Sequence, residues 1–407
     1  MNLPLFIALR YLFSKKTKNV INLISGISMM GIAIGAMALV VVLSAFNGIE
    51  NLVDKLYSSF DPDIRISAVE GKTFSWDDFP LSEVREVEGV DFVSRSIEET
   101  VLLKHREAQF FVTLKGVDES FLEMSGLDSM LFEGELILMR DSIPCAIIGY
   151  GIADQLNVFI NHVFEPSQIY AAKRTAKGQL NVDNAFIQGP IYASGIFGIN
   201  PEFDYKYVLA PYEYSSQLLQ HEGDVTSAEI GIALNANMNQ VKERLAKVLG
   251  ESFVVKTRFE LNELLYKTNK TEKWITFLIL SFILIIAAFN MIGSLTMLII
   301  DKGPDLKVMA AMGMTPNMIK NVFLWEGILI SLAGGVGGIV VGLAACYAQT
   351  EIGLLKLQEG TIAEYYPISV EKLDVLAVLV VVVIIGFLTS WFPAQLVAKR
   401  RASSFIK

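Results

Sequence analysis

Residues 274–300, WITFLILSFILIIAAFNMIGSLTMLII, decide the fold class because these 27 residues contain no charged side chain. About 20 apolar residues cross the hydrocarbon core of a bilayer, so this stretch is long enough to span it with some tilt. Its only strongly polar side chain is Asn290. The sequence therefore predicts a membrane helix to which the rest of the chain is attached.

Three further runs, residues 20–49, 327–350 and 375–398, are similarly long and poor in charge. Of the 407 residues, 52% are hydrophobic and 19% are charged, which is too apolar for an ordinary soluble protein. Residues 50–273 contain no such run and predict a folded soluble domain. The first run is too long for a signal peptide and lacks a small-residue cleavage site, so we expect it to be retained.

The predicted fold class is a membrane protein with four transmembrane helices plus a large α+β periplasmic domain inserted between helices 1 and 2. Inside this domain, two β–α–β patterns flank a long, mostly β insertion. The predicted boundaries are a cytoplasmic amphipathic segment (1–20), TM1 (21–48), the periplasmic domain (49–273, with its α+β part at about 49–116 and 226–273 and the inserted subdomain at about 117–225), TM2 (274–300), a cytoplasmic coupling segment (301–320), TM3 (321–350), a periplasmic loop (351–374), TM4 (375–398) and a cytoplasmic tail (399–407).

Basic side chains predict the orientation, because Lys and Arg near helix ends stay on the cytoplasmic side. Both chain ends and the 301–320 loop are basic, whereas the 351–374 loop holds five acidic side chains and two lysines. We therefore expect both termini in the cytoplasm of a multi-pass protein of the bacterial inner membrane. Residues 21–300 carry 21 basic and 35 acidic side chains, an acidity that argues against nucleic acid as the outer partner.

The coupling segment predicts a short helix between two breaks. Gly303-Pro304 ends the preceding helix, residues 305–312 make about two turns, and Gly313 ends them. Elsewhere, small residues in the first and third membrane helices predict close helix packing, namely Gly31, Gly35, Gly334 and Gly338. A carboxylate at membrane depth is costly, so both a functional role and a bond to a neighbouring helix end stay open for Glu326.

Signatures of catalysis are absent from the sequence. Residues 71–73, GKT, resemble the end of a phosphate-binding loop, but Ile66 occupies the position where that loop needs a glycine. The histidines 105, 162 and 221 are far apart in the sequence. Cys145 lies in the predicted outer domain and Cys346 in a predicted membrane helix, so we expect no disulfide between them. We predict a non-enzymatic chain with no metal site and no bound cofactor.

Six motifs carry a resemblance to a known family: IALRYL at 7–12, SGISxxGIAIG at 25–35, VLSAFNGIE at 42–50, DKxxDLKVMxxMG at 301–313, Glu326-Gly327 before a glycine-rich run, and FPA at 392–394. Over essentially the whole chain they resemble the FtsX/MacB-like permeases, the membrane subunits of mechanotransmitting ABC systems. Within these, the chain is most similar to lipoprotein-releasing permeases of the LolC and LolE type. Gly303-Pro304 departs from the family pattern.

The resemblance implies a permease subunit that extracts lipoproteins from the outer leaflet of the inner membrane and passes them to a periplasmic chaperone. It implies as partners a cytoplasmic ATPase dimer that binds ATP and Mg, a second permease (identical or paralogous), a lipoprotein, the chaperone and membrane lipid. Two alternatives stay open. A MacB-like efflux permease usually carries a fused amino-terminal ATPase, and an FtsX-like activator of a cell-wall hydrolase tends to have a shorter outer domain.

The resemblance also implies three groups of site residues. The ATPase-coupling segment comprises Asp305, Leu306, Lys307, Met309, Ala310, Met312 and Gly313. A chaperone-binding hairpin comprises Lys173, Arg174, Lys177, Gly178, Gln179 and Leu180. Lipid or acyl-chain contacts comprise Met37, Val41, Phe46, Tyr365, Tyr366 and Ile368. An ordinary surface turn and ordinary interfacial anchors remain the alternatives for the last two groups.

Overall fold

The structure is a computed structural model. It describes the backbone of residues 3–13, 19–160, 165–173, 185–357 and 364–404, and the side chains within 3–11, 25–160, 165–173, 185–357 and 364–395. The chain divides into two compact units. The domain unit consists mainly of residues 53–266, and the helical unit contains the residues up to 52 and nearly all of those from 267 onward.

The helices are α1 (Leu3–Phe13), α2 (Asn19–Ser58), α3 (Leu81–Arg85), α4 (Glu119–Met124), α5 (Tyr150–Leu156), α6 (Pro201–Asp204), α7 (Tyr212–Leu218), α8 (Met238–Leu249), α9 (Arg258–Leu261), α10 (Glu263–Asp301), α11 (Gly303–Ala311), α12 (Pro316–Ile352) and α13 (Lys372–Ser404). The strands are β1 (Ile64–Ala68), β2 (Phe74–Ser75), β3 (Val90–His105), β4 (Ala108–Val117), β5 (Leu131–Gly134), β6 (Met139–Arg140), β7 (Ile143–Gly149), β8 (Ser167–Ala172), β9 (Phe186–Phe197), β10 (Tyr207–Pro211), β11 (Asp224–Val225), β12 (Ser227–Ile232) and β13 (Phe253–Thr257).

Within the described residues, four helices of the chain are long and apolar enough to cross a membrane. They are α2, α10, α12 and α13, and each of the four predicted runs lies inside one of them. Each helix also continues beyond its apolar run into polar sequence. One apolar cluster joins all four, with Leu39 of α2, Leu284 of α10, Ile339 of α12 and Val382 of α13 among its buried members.

The domain unit is built on one sheet with the strand order β13-β1-β12-β3-β4-β10-β7-β9-β5. Most neighbours are antiparallel, but β10 runs parallel to β4 and β7 runs parallel to β9. Strand β8 joins the sheet beside β3 and β9. The succession of β12, α8 and β13 confirms the predicted second β–α–β pattern. Helix α8 buries Val241 and Leu245 with Ile64 and Ile230 of the sheet.

Residues 117–225 do not form a separate sheet, as an independent subdomain would require. Their strands β7, β9 and β10 instead extend the sheet that begins with β1, β3 and β4. The predicted insertion also contains helices α4 to α7, so it is less purely β than its sequence pattern indicates. The parallel pairing of β10 with β4 joins residues 117–225 to the rest of the sheet. In this pairing Val208 aligns with Leu114, and both side chains are fully buried.

Candidate functional site

A polar cluster joins three of the apolar helices near the carboxyl end of the apolar part of α2. The Lys273 ammonium of α10 donates to the Asn47 side-chain oxygen at 2.6 Å, and the Asn47 amide donates to Asp374 at 2.7 Å. Lys273 also lies 3.1 Å from the Asp374 carboxylate. The three side chains therefore satisfy one another, which buried or half-buried polar groups require.

The local sequence explains why these residues meet. Asn47 lies near the end of the uncharged run of α2 and is only 1% exposed. Lys273 directly precedes the uncharged stretch of α10. Asp374 lies in the first turn of α13, where the helix dipole stabilises a carboxylate. Sequence reasoning missed this cluster. Its signal was one strongly polar residue, Asn47, embedded in an apolar motif.

The segment before α13 packs closely on α2 beside this cluster. The Ser369 amide donates to the Ser44 carbonyl at 2.9 Å. A Cβ on Gly48 would collide with the Pro367 carbonyl, so only glycine permits this approach. Ile368 packs against the apolar cluster of the four helices.

Gln349, near the end of α12, organises the nearby chain segments. Its side-chain oxygen accepts from the Leu355 amide at 2.8 Å, and its nitrogen donates to the carbonyls of Leu355 and Tyr366 at 3.0 and 3.2 Å. Tyr365, next to Tyr366, is 40% exposed.

The predicted lipid contacts are distributed rather than gathered in one surface. Val41 and Ile368 pack against the apolar cluster, whereas Tyr365 is exposed and Phe46 and Tyr366 are partly exposed. Met37 instead lines an apolar groove of about 460 Å³ between α2 and α12. The groove contains three methionines, whose flexible side chains adapt to varied apolar shapes: Met29, Met30 and Met37.

The glycines predicted to pack helices lie at helix crossings. A Cβ on Gly35 of α2 would come within 2.5 Å of the Leu284 side chain of α10. On α12, a Cβ at Gly334 would come within 2.6 Å of the Met29 carbonyl, and one at Gly338 would meet the Ala33 carbonyl. At Gly31 the packing is less tight, because an added Cβ would lie 3.7 Å from the Ala287 Cβ. Small residues thus bring α12 and α10 close to α2.

Helix α11 occupies the predicted coupling segment and has two different faces. Leu306 and Met309 are buried against Leu298 of α10 and Phe323 of α12, with Ala310 packed beside them. Asp305 pairs with Lys302 at 3.2 Å. Lys307, Val308, Met312 and Gly313 point outward, and Met312 is 73% exposed. Of the predicted coupling residues, Lys307, Met312 and Gly313 are therefore the most accessible.

The Gly303-Pro304 departure lies in the first turn of α11. Proline fits there, because the first amide of a helix has no intrahelical acceptor to lose. Gly313 follows the helix with a φ of +91°, a left-handed conformation typical of helix ends. Thr315 then caps α12 by accepting from the Met318 amide. Glu326 is fully buried within α12.

The predicted chaperone-binding hairpin lies mostly outside the described residues, which omit Arg174, Lys177, Gly178, Gln179 and Leu180. The strands on either side are described. β8 and β9 pair antiparallel from Ser167–Ile191 to Ala172–Phe186, and the Lys173 amide donates to the Ala185 carbonyl at 2.9 Å. Strands β8 and β9 thus flank the predicted hairpin in the sequence, and the role of the hairpin stays a prediction.

A charged cluster crosses four strands of the domain unit. Arg65 of β1 pairs in register with Glu229 of β12, and Glu98 of β3 pairs in register with Lys115 of β4. Lys115, which is fully buried, lies 2.9 Å from Glu229 and 3.4 Å from Glu98. It also lies over the ring of Phe121, 4.4 Å from the centroid. Such pairing offsets the cost of burying these charges.

The electrostatics of this cluster act on Glu98. Burial by itself raises the pKa of the Glu98 carboxyl, but the nearby charges of Lys115 and Arg65 outweigh it and hold the pKa below the ordinary value of 4.5. Glu98 is therefore ionised at neutral pH and stabilises the fold in that form.

Each of the two described histidines makes a polar contact with a nearby side chain. His105 Nδ1 lies 3.1 Å from the Ser167 hydroxyl, and His221 Nδ1 lies 3.3 Å from Asp224. His162 is outside the described residues. No group of three or more metal-ligating side chains occurs in the part of the chain that the structure describes.

Two family models match the chain. The MacB-like periplasmic core domain matches residues 25–248, and the FtsX-like permease C-terminal domain matches residues 277–402. The lipoprotein-releasing system transmembrane protein LolE of Haemophilus influenzae is 25% identical over 98% of this chain and 98% of its own length. The corresponding LolC protein of Buchnera aphidicola (subsp. Schizaphis graminum) is 22% identical over 99% of this chain and 98% of its own, and that of Neisseria meningitidis is 21% identical over 100% and 99%.

Proposed function

We propose that this chain, which belongs to the FtsX/MacB-like permease superfamily, is the permease subunit of an ABC complex that releases lipoproteins from the inner membrane. One observation carries the proposal: curated lipoprotein-releasing permeases align with the chain from end to end. The efflux and hydrolase-activating alternatives belong to the same superfamily, but the relatives named here are lipoprotein-releasing proteins.

In this proposal, α2, α10, α12 and α13 span the bacterial inner membrane. The domain unit, which lies between α2 and α10 in the sequence, projects into the periplasm. The Lys and Arg bias of the tails and of the 301–320 loop supports cytoplasmic placement of both termini and of α11. The polar cluster of Asn47, Lys273 and Asp374 then lies at the periplasmic ends of three membrane helices.

The chain itself performs no chemistry in this proposal. A separate cytoplasmic ATPase dimer binds ATP and Mg and contacts the exposed face of α11 around Val308 and Met312. The buried face of α11, through Leu306 and Met309, is anchored to α10 and α12. Movement of α11 is therefore transmitted to both helices, because packed cores resist deformation.

Helix α10 has the length needed to transmit this movement. It is 39 residues long without interruption, or about 58 Å at the rise of an α-helix. That length exceeds the hydrocarbon thickness of about 30 Å. We propose that α10 acts as a lever that carries the ATP-driven movement to the periplasmic side, where a lipoprotein passes to its chaperone. A second permease, identical or paralogous, completes the complex.

Depletion of the chain in its own bacterium tests this function. Mature outer-membrane lipoproteins should accumulate in the inner-membrane fraction, while an integral inner-membrane protein keeps its distribution as the control. Purification of the chain should recover a cytoplasmic ATPase, and its periplasmic domain should retain a lipoprotein chaperone. Normal lipoprotein sorting together with lost peptidoglycan hydrolase activity would refute the proposal and favour the hydrolase-activating alternative.

A further inference from the structure

A cleft of about 300 Å³ opens beside the polar cluster, within the helical unit. Its apolar wall consists of Leu43 of α2, Trp274 and Phe277 of α10, and Ala377 of α13. Its polar lining consists of Glu50, Lys270, Lys273, Glu371 and Asp374. The cleft thus combines an apolar surface with charges of both signs.

The charges divide into a paired set and an available set. Lys273 and Asp374 bind each other and Asn47. No side-chain ion pair within the described residues involves Lys270, Glu50 or Glu371, although all three line the same cleft. The cleft therefore offers one cation and two carboxylates to a ligand from outside.

The depth of the cleft in the membrane determines which chemical class of ligand can reach it. Lys270 and Lys273 directly precede the apolar run that begins at Trp274. In the membrane placement of the proposed function, on which this inference rests, these residues lie at the level of lipid headgroups. Tryptophan is enriched at that level because its ring is amphipathic. A headgroup thus meets the charged side of the cleft while an acyl chain follows its apolar wall.

We infer that the cleft binds a zwitterionic glycerophospholipid with a primary amine, of the phosphatidylethanolamine type. Its phosphate contacts the Lys270 ammonium, and its amine contacts the carboxylates of Glu50 and Glu371. Its acyl chain lies along Leu43 and Phe277. An anionic phospholipid such as phosphatidylglycerol fits less well, because its headgroup brings no cation to the two carboxylates.

Trp274 provides a direct probe of occupancy. Full-length protein carrying Trp76→Phe, Trp325→Phe and Trp391→Phe retains Trp274 as its single tryptophan. This protein is reconstituted into mixed vesicles of phosphatidylethanolamine and phosphatidylglycerol, with brominated acyl chains on one lipid and then on the other. Bromine quenches tryptophan fluorescence on contact, so the two series give the relative affinity of the two lipids at Trp274.

The expected result is a preference of about threefold for phosphatidylethanolamine, the size expected of partly exposed charge pairs. Lys270→Ala and Glu371→Gln should each reduce this preference, so that the two lipids bind with nearly equal affinity. Glu272→Gln is the matched control, because Glu272 is exposed on the same helix and does not line the cleft. If the triple tryptophan variant does not fold, retention of each lipid by the unmodified protein in native mass spectrometry makes the same comparison.

Equal quenching by both lipids, unchanged in the variants, would overturn the inference and leave the membrane placement intact. A phosphate-free lipopeptide that displaces the brominated phospholipid would also overturn it and assign the cleft to substrate. Absence of quenching by either lipid would overturn it as well, and would contradict the membrane placement on which the proposed function depends. The two failures are therefore distinguishable.

Discussion

Lys273 donates to the side-chain oxygen of Asn47 at 2.6 Å, although 226 residues separate them in the chain. The contact fastens α10 to α2, and Asp374 adds α13 to the same cluster. We predict that Asn47→Ala lowers the free energy of unfolding by about 2 kcal/mol, because it removes two hydrogen bonds to charged groups at a buried position. Thermal unfolding of the purified protein in detergent measures the loss.

A double-mutant cycle separates this contact from general effects of substitution. The cost of Asn47→Ala should shrink when Lys273→Met is already present, because the shared hydrogen bond is then absent. Glu272→Gln, next to Lys273 but exposed, should change the unfolding temperature little. Additive costs for Asn47→Ala and Lys273→Met would show that the two side chains do not interact.

Adjacent glycines of α12 provide a second, closely matched pair of variants. Gly338→Ala should destabilise the protein by about 2 kcal/mol, because the added Cβ meets the Ala33 backbone carbonyl, which cannot move alone. Gly337→Ala meets no atom within 4 Å and should be neutral, or stabilising by about 0.5 kcal/mol through its better helix propensity. Thermal unfolding and lipoprotein sorting are measured for both. Equal effects of the two substitutions would contradict the packing argument.

The long apolar helices and the strands of the two β–α–β patterns could be predicted from the sequence, because their signals are local. An uncharged run as long as 274–300 has few structural solutions other than a spanning helix. Strand β1 shows alternation of buried and partly exposed residues around Ile64 and Ile66. Strand β4 continues through Lys115 to Val117, although a lysine by itself is typical of a solvated position. Lys115 is buried because Glu98 and Glu229, on two other strands, pair with it.

The candidate site was harder to predict from the sequence, because it too depends on contacts between residues far apart in the chain. Met312 and Met309 look alike in the sequence, and only the packing of α11 on α10 and α12 makes Met309 buried and Met312 exposed. Asn47 was visible as a polar residue in an apolar motif. Its partners Lys273 and Asp374 belong to other helices, and no local pattern joins residues so far apart in the chain.

The two faces of α11 predict opposite phenotypes for two methionine variants. Met312→Glu should leave the unfolding temperature nearly unchanged, because Met312 is 73% exposed. If α11 contacts an ATPase as proposed, the same substitution should uncouple the chain from that ATPase. Lipoproteins would then remain in the inner membrane, and lipoprotein would no longer stimulate ATP hydrolysis by the purified complex. Met309→Ala should instead lower stability by about 2 kcal/mol, because it leaves a cavity among Leu298, Ile319 and Phe323. Normal sorting by Met312→Glu would place the ATPase contact elsewhere.

The charged cluster of the domain unit predicts a defined dependence of stability on pH. The pKa of Glu98 is lower in the folded protein than its ordinary value of 4.5, so its stabilising contribution is complete above that value. The contribution is lost as the pH falls below 4.5 and through the folded pKa. Glu98→Gln should therefore cost about 2 kcal/mol at pH 7, and the difference from the unmodified protein should shrink under more acidic conditions.

Chemical unfolding at pH 7, 5 and 3.5 checks this dependence in the full-length protein. Glu99→Gln is the matched control, because Glu99 follows Glu98 on β3 and its side chain leaves the opposite face of the sheet. The free energy of unfolding of Glu99→Gln should differ from that of the unmodified protein by a similar small amount at all three pH values. A Glu98→Gln cost that persists undiminished at the lowest pH would show that shape, rather than the charges of Lys115 and Arg65, determines the contribution of Glu98.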